Sequence, residues 1–207
     1  MIKDDLTINS IIDTGFAYHT EKIIEKNSSE ELLFYIHSNT GWNYLDLYYS
    51  DNGEFKIEKN HIKTYALEHE LISKNYIKNI FSDLDKIIDI DFKYSQTDNG
   101  SHIDIFNVNY SSLFLDQNTV GQAIKQNSTS GKWWEVIWKK TSSNFDDLEK
   151  NTIIHELGHA LGLSHPNNNP EDPRWDTSDT VMSYNQSAMG WDTWYSELDL
   201  NALIRLW

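Results

Sequence analysis

Eleven residues, His155-Glu156-Leu157-Gly158-His159-Ala160-Leu161-Gly162-Leu163-Ser164-His165, constrain this chain more than any other stretch. Two histidines four positions apart stand one turn apart on one face of a helix, so their imidazoles converge on a single point. The third follows six positions after the second, beyond Gly162. Glycine takes a left-handed backbone at little cost, which lets the helix stop there and the chain turn back toward the same point. Any fold built on this segment therefore needs a helix, an abrupt reversal, and open space where three imidazoles meet. Three neutral imidazoles suit zinc and leave its fourth position to water, as in a hydrolytic site rather than a closed structural one. Glu156, beside the first histidine, is a carboxylate placed to take a proton from that water.

In a chain of this composition the whole pattern arises by chance on the order of 3 times in 100,000. Accidental histidines on the surface of a core helix are accordingly the weaker reading. The remaining histidines, His19, His37, His61, His69 and His102, have no ligand spacing and read as surface or hydrogen-bonded polar residues.

Downstream, a Pro/Asn-rich loop over residues 165–179 leads to Thr180-Val181-Met182-Ser183-Tyr184. The extended histidine motif followed by this methionine turn resembles the metzincin zinc endopeptidases, and is most similar to their serralysin-like and matrixin-like branch. Residues 194–203 also resemble the short helix after the Met-turn in serralysins. The close resemblance covers residues 146–207, and a looser one reaches back to residue 61.

The resemblance implies an α+β fold. A twisted mixed β-sheet backs two helices in an upper lobe, one of them the active-site helix, and an irregular lower lobe holds the Met-turn and a C-terminal helix. It implies His155, His159 and His165 as zinc ligands, Glu156 as general base, and Gly162 as the supporting turn. Met182 would form an apolar floor beneath the metal. Tyr184 would match the tyrosine that in serralysins and astacins ligates zinc at rest and swings to stabilise the tetrahedral intermediate. A polypeptide substrate would lie extended along an antiparallel edge strand, for which residues 119–125 are the candidate. The wall of the pocket next to zinc would include residues 185–189. The expected reaction is hydrolysis of an internal peptide bond by a Glu-activated, zinc-bound water, with no covalent intermediate. A catalytically silent, zinc-stabilised binding module and a zinc hydrolase of a non-peptide amide or ester are the alternatives. An intact Glu156 weighs against the former, because a structural zinc site needs no base.

Length and composition set the remaining limits. A chain of 207 residues fits one catalytic domain. Residues 61–207 read as the metzincin-like catalytic domain, and residues 1–60 as a segment of unknown role within the same domain. Asp13 and Asp46, flanked by apolar residues, are candidate anchors of an inhibitory segment; simple extension of the sheet is the plainer reading. The absence of cysteine excludes disulfides and a cysteine-based latency switch. A net charge of −15 argues against nucleic acid as a partner. No membrane span is expected, and a monomer is. Asp51-Asn52-Gly53 and Asp98-Asn99-Gly100 are the possible calcium loops, but neither fills an EF-hand pattern and both read as turns. The start of the chain lacks the apolar stretch of a signal peptide. An extracellular destination is preferred over a cytoplasmic one, because free endopeptidase activity is hazardous in a cytosol.

Periodicity predicts strands at residues 32–36, 44–49 and 55–57, with a hairpin turn at Asp51-Asn52-Gly53, and another at 61–66. An amphipathic helix is expected from Tyr76 to Ile88. Further strands follow at 90–94 and 103–108, then an antiparallel pair at 119–125 and 134–138, with Trp133, Trp134 and Trp138 as packing residues. The active-site helix is expected to start at Ser143 or Asn144.

Overall fold

Asn52 and Gly53 both take left-handed φ, 52° and 82°, which a two-residue hairpin turn demands of its central pair. The turn joins β2 (Gly41–Asp51) and β3 (Glu54–Leu67) as an antiparallel ladder. The computed structural model describes residues 6–27 and 31–207. Besides this hairpin, the strands are β1 (Glu31–Ile36), β4 (Asp91–Ser95), β5 (Ile103–Ser111), β6 (Gly121–Ser128) and β7 (Gly131–Lys139). The helices are α1 (Thr14–Asn27), α2 (Leu71–Leu84), α3 (Asp147–Ala160) and α4 (Glu197–Leu206).

The fold is mixed α/β, with one seven-stranded mixed sheet. Strands β4, β1, β5 and β7 run parallel, while β6 is antiparallel to β7 and β3 antiparallel to β5. Side-chain alternation along β5 and β7 divides the interior in two. Ile103 and Ile105 join Trp134, Val136 and Trp138 in the large core, together with Ile153, Ile154 and Leu157 of α3. Phe106, Val108 and Ile137 turn the other way and meet Ile62 of β3 in a second, small cluster. Gln126 of β6 ties the hairpin down, accepting from the Tyr48 N–H at 2.8 Å and donating to the Asp46 carbonyl at 3.0 Å.

Several details differ from expectation. The strand at 61–66 is the second half of the long β3, continuous with 55–57. Helix α3 begins at Asp147, not at Ser143 or Asn144, because Asp146 is the N-cap and accepts from the Glu149 N–H at 3.0 Å. Glu149 is itself buried and accepts from the Thr141 and Ser142 N–H groups, which holds residues 141–142 in a turn ahead of the helix. Helix α1 had no counterpart in the sequence reading. Its apolar residues are few, which hides it, but Asp13 caps it, accepting from Gly15 N–H at 2.7 Å and Phe16 N–H at 2.9 Å. Asp46 likewise has a local task, accepting from Asn60 N–H at 2.8 Å across a bulge in the hairpin. Neither residue reaches into the cleft described below as one of its lining groups. Of the histidines expected to be surface or hydrogen-bonded polar residues, His19, His37 and His69 are buried. Of these, His19 bonds the Trp133 carbonyl at 3.0 Å. Among the described residues no helix is long and apolar enough to cross a membrane.

Candidate metal centre and cleft

Helix α3 carries His155 and His159 on one face, and their rings stand perpendicular with centroids 4.8 Å apart. The helix ends at Ala160, and Gly162 takes φ +101°. A side chain there would also collide with Ala17 and Leu206, since a Cβ would lie 3.0 Å from the Ala17 Cβ and 2.9 Å from Leu206 Cδ1. Glycine is thus required twice over, by dihedral and by space. The reversal brings His165 back, and one nitrogen from each of His155, His159 and His165 lies within 4.8 Å of the others.

Backbone carbonyls fix the orientation of two of these rings. A carbonyl only accepts, so His155 Nδ1 must donate to Val181 O at 2.9 Å, and His159 Nδ1 to Leu163 O at 3.0 Å. Each neutral ring then presents an Nε2 lone pair, the ligand form for a metal. Burial holds all three imidazoles below their ordinary pKa, His165 at about 4, so they are neutral at pH 7. His155 Nε2 and His165 Nε2 are 3.2 Å apart. Two tetrahedral zinc ligands at Zn–N of about 2.0–2.1 Å would be separated by about 3.3 Å. The three imidazoles, the tautomers of His155 and His159, and the His155–His165 spacing are therefore compatible with a bound metal ion, zinc among those that would fit.

Glu156 lies between the helix and the edge strand β6. Burial pushes its carboxyl up to about 8, against the opposing pull of the Ala123 N–H. A cation among the imidazoles would draw it back toward the ionised form. Gly121 makes this position possible: a Cβ there would fall 2.6 Å from Glu156 Oε1 and 2.6 Å from Thr152 Cγ2. Tyr184 stands on the open side, half exposed, its ring centroid 5.0 Å from His165 and 5.4 Å from His155. Burial first, then the charges of Glu156, Glu171 and Asp116, push its hydroxyl up to about 12. It therefore remains a proton-bearing donor at neutral pH. Met182 is buried beneath the helix, with its sulfur 2.8 Å from where a Cβ on Gly158 would be.

His155, Glu156 and Tyr184 share a cleft of about 780 Å³ with Gly121, Asn185 and Trp191. The antiparallel strand expected at 119–125 is β6, which starts at Gly121 and pairs with β7 alone among the described residues; the cleft is lined there by residues 116–120 and by Gly121, the first residue of the strand. Of the wall expected from residues 185–189, Asn185 lines the cleft, whereas Met189 is 96% exposed. Sequence reasoning missed Gly121, Gly158 and Asp199. A glycine inside a strand pattern was the available signal for Gly121. Asp199 is fully buried and accepts from Thr180 Oγ1, Val181 N–H and Ser196 N–H at 2.5, 3.0 and 2.9 Å, binding the Met182 turn to α4. No family model matches the chain, and no curated protein matches it.

Proposed function

We propose that this chain is a zinc-dependent endopeptidase of the metzincin kind. The observation that carries the reading is the set of three neutral imidazoles that meet at one point, one of them, His155, lining an open cleft beside Glu156. The mixed sheet with an antiparallel edge strand at the cleft, the irregular stretch holding Met182, and the final helix α4 all support the resemblance drawn from the sequence.

When bound by His155, His159 and His165, zinc supplies a Lewis acid that polarises the scissile carbonyl and acidifies water toward a pKa of ~7. Glu156 accepts a proton from the attacking water and returns it to the leaving amine. The Tyr184 hydroxyl donates to the developing oxyanion. The edge of β6 away from β7, where the Ala123 N–H now serves Glu156, would offer backbone hydrogen bonds to an extended peptide, which gives affinity without regard to its sequence.

The test is incubation of the protein with a denatured protein substrate, with and without a chelator, and mass mapping of the products. New internal termini that disappear on chelation are expected. His159→Ala should lose zinc, while Glu156→Ala should keep zinc and fold but lose nearly all turnover. Undiminished zinc in His159→Ala, or activity of Glu156→Ala within tenfold of the parent, would refute the assignment. Absence of cleavage by the zinc-replete parent would favour a binding module.

A further inference from the structure

The cleft beside the histidines is one-sided in its charge. Asp116, Glu156 and Glu171 line it, and no Lys or Arg among the described residues does. Asp116 and Glu171 come from different loops, ahead of β6 and after His165, yet the negative charge of each reaches Tyr184. Both are exposed, and among the described residues neither forms an ion pair. Arg174, on the same loop as Glu171, is taken up by Asp172 at 2.7 Å.

Acids alone attract any cation; the neutral groups of the same wall narrow the choice. Thr152 has given its hydroxyl hydrogen to the Leu148 carbonyl at 2.8 Å, and Asn185 both amide hydrogens to the Asp172 and Trp175 carbonyls at 2.8 and 2.9 Å. What these side chains still offer a ligand is lone pairs. Asn151 lines the cleft and is only 4% exposed. Its Nδ2 donates to the Asp192 carbonyl at 2.7 Å, which fixes the amide, while its Oδ1 accepts nothing among the described residues. A ligand entering the cleft must supply that oxygen with a donor or strip it of water at a cost. Leu148 and Trp191 add apolar surface, on which the methylene stem of a long cationic side chain can lie.

We propose that this cleft selects its substrates by a basic side chain, arginine or lysine, held near the reacting bond by Asp116 and Glu171, with the amide oxygens of Asn151 and Asn185 as further acceptors. The inference rests on the cleft being the peptide-binding site of the proposed endopeptidase. It adds a preference for one kind of residue to the affinity that β6 gives irrespective of sequence. Aspartate or glutamate in the same place would meet like charge, and the spent hydrogens of Thr152 and Asn185 could not compensate. Asp116 Oδ1 already accepts from the Asn118 and Thr119 N–H groups at 2.7 and 2.9 Å, so its carboxylate is held in place ahead of binding rather than ordered by it.

Binding and cleavage are measured separately. Binding is read by fluorescence anisotropy on zinc-loaded Glu156→Ala, which cannot turn the probe over. The probes are two labelled peptides that differ at one central residue, arginine in one and neutral citrulline in the other. The arginine peptide should bind about tenfold tighter or more at low salt, and the preference should shrink as salt rises. Asp116→Asn with Glu171→Gln, which keep the size of both side chains, should reduce the ratio to about twofold or less. Neutralising two exposed acids elsewhere, Glu21→Gln with Glu54→Gln, should leave the ratio unchanged, which separates the site from the general attraction of a chain of net charge −15. If the cleft double variant fails to fold, the arginine–citrulline ratio and the Glu21/Glu54 control still decide. Cleavage is read by mass mapping a denatured protein digested by the parent, whose new termini should cluster beside arginine and lysine. Equal binding of the two peptides, a preference that survives the cleft double variant, or one lost with Glu21 and Glu54 overturns the proposal. A digest whose termini ignore basic residues also overturns it, and leaves the peptidase reading standing. Arginine-selective binding without cleavage by the zinc-replete parent would refute the peptidase instead and still support the basic-side-chain site.

Discussion

A single missing methyl group determines where Glu156 sits. At Gly121 a Cβ would overlap both the carboxylate and the Cγ of Glu156, the latter at 2.8 Å. Gly121→Ala should therefore displace the base while leaving the three imidazoles alone. Under the proposed reaction we expect kcat to fall by ~10²-fold with zinc content unchanged, since a small misplacement of a reacting group has that order of effect. Full activity would show that the carboxylate moves aside freely. Tyr184→Phe should also lower kcat by roughly 10²-fold with KM nearly unchanged, matching the loss of one oxyanion donor; a change confined to KM would make Tyr184 a pocket wall only. Residues of the two kinds differ in how readable they were. Histidine and glutamate announce themselves by chemistry at a fixed helical spacing, and His155, Glu156, His159 and His165 lie within one short segment. Gly121 acts by lacking a side chain at a contact made by strand β6 on helix α3, and no local pattern encodes which strand crosses which helix.

Among the elements, α3 and α4 show how a helix end organises a loop. Asp199 sits in the first turn of α4 and shares a capping box with Ser196, whose Oγ accepts from the Asp199 N–H at 3.1 Å. The same carboxylate reaches out of the helix to Thr180 and Val181, and the Val181 carbonyl in turn holds His155. Burial keeps the Asp199 carboxyl above its ordinary range even so. Asp199→Ala would leave two buried donors of the Met182 turn unsatisfied, and should cost about 2–4 kcal/mol. In a chain of this size that lowers Tm by ~4–16 °C, and zinc affinity should weaken with it because the orientation of His155 depends on Val181. An unchanged Tm, measured on the zinc-free protein, would rule this coupling out. The helix itself was expected from the resemblance of residues 194–203 to the short helix after the Met-turn in serralysins. The outward bonds of Asp199 were not, because they join positions nearly twenty residues apart. Helix α1 escaped for another reason: its apolar residues are few, and tertiary contacts such as the Thr20 hydroxyl on the Ala160 carbonyl at 2.6 Å help to dock it.

At the scale of the whole molecule, the question is whether the first sixty residues cover the site or build it. A covering segment would place side chains in the cleft and contribute little to the interior. The described part of this segment does the reverse. Ile11, Ile23, Leu32, Phe34 and Ile36 are buried in the same cluster as Ile154 and Leu157 of the histidine-bearing helix. Strand β1 lies between β5 and β4, so its removal opens the sheet in the middle rather than at an edge. Near the metal centre the chain before α1 is bonded directly to the reversal after α3: Asp13 N–H donates to the Gly162 carbonyl at 2.9 Å, and Ser164 N–H to the Ile11 carbonyl at 2.8 Å. These bonds brace the turn that returns His165 to its partners. Burying a single Ile, Leu or Phe is worth about 1.5–3 kcal/mol, so five of them together match the total stability of an ordinary domain. Deletion of residues 1–60 should consequently yield insoluble protein, or soluble protein without cooperative unfolding and without zinc. A folded, zinc-bound product with raised peptidase activity would show instead that the segment is an inhibitor, and that residues 61–207 can close their own core.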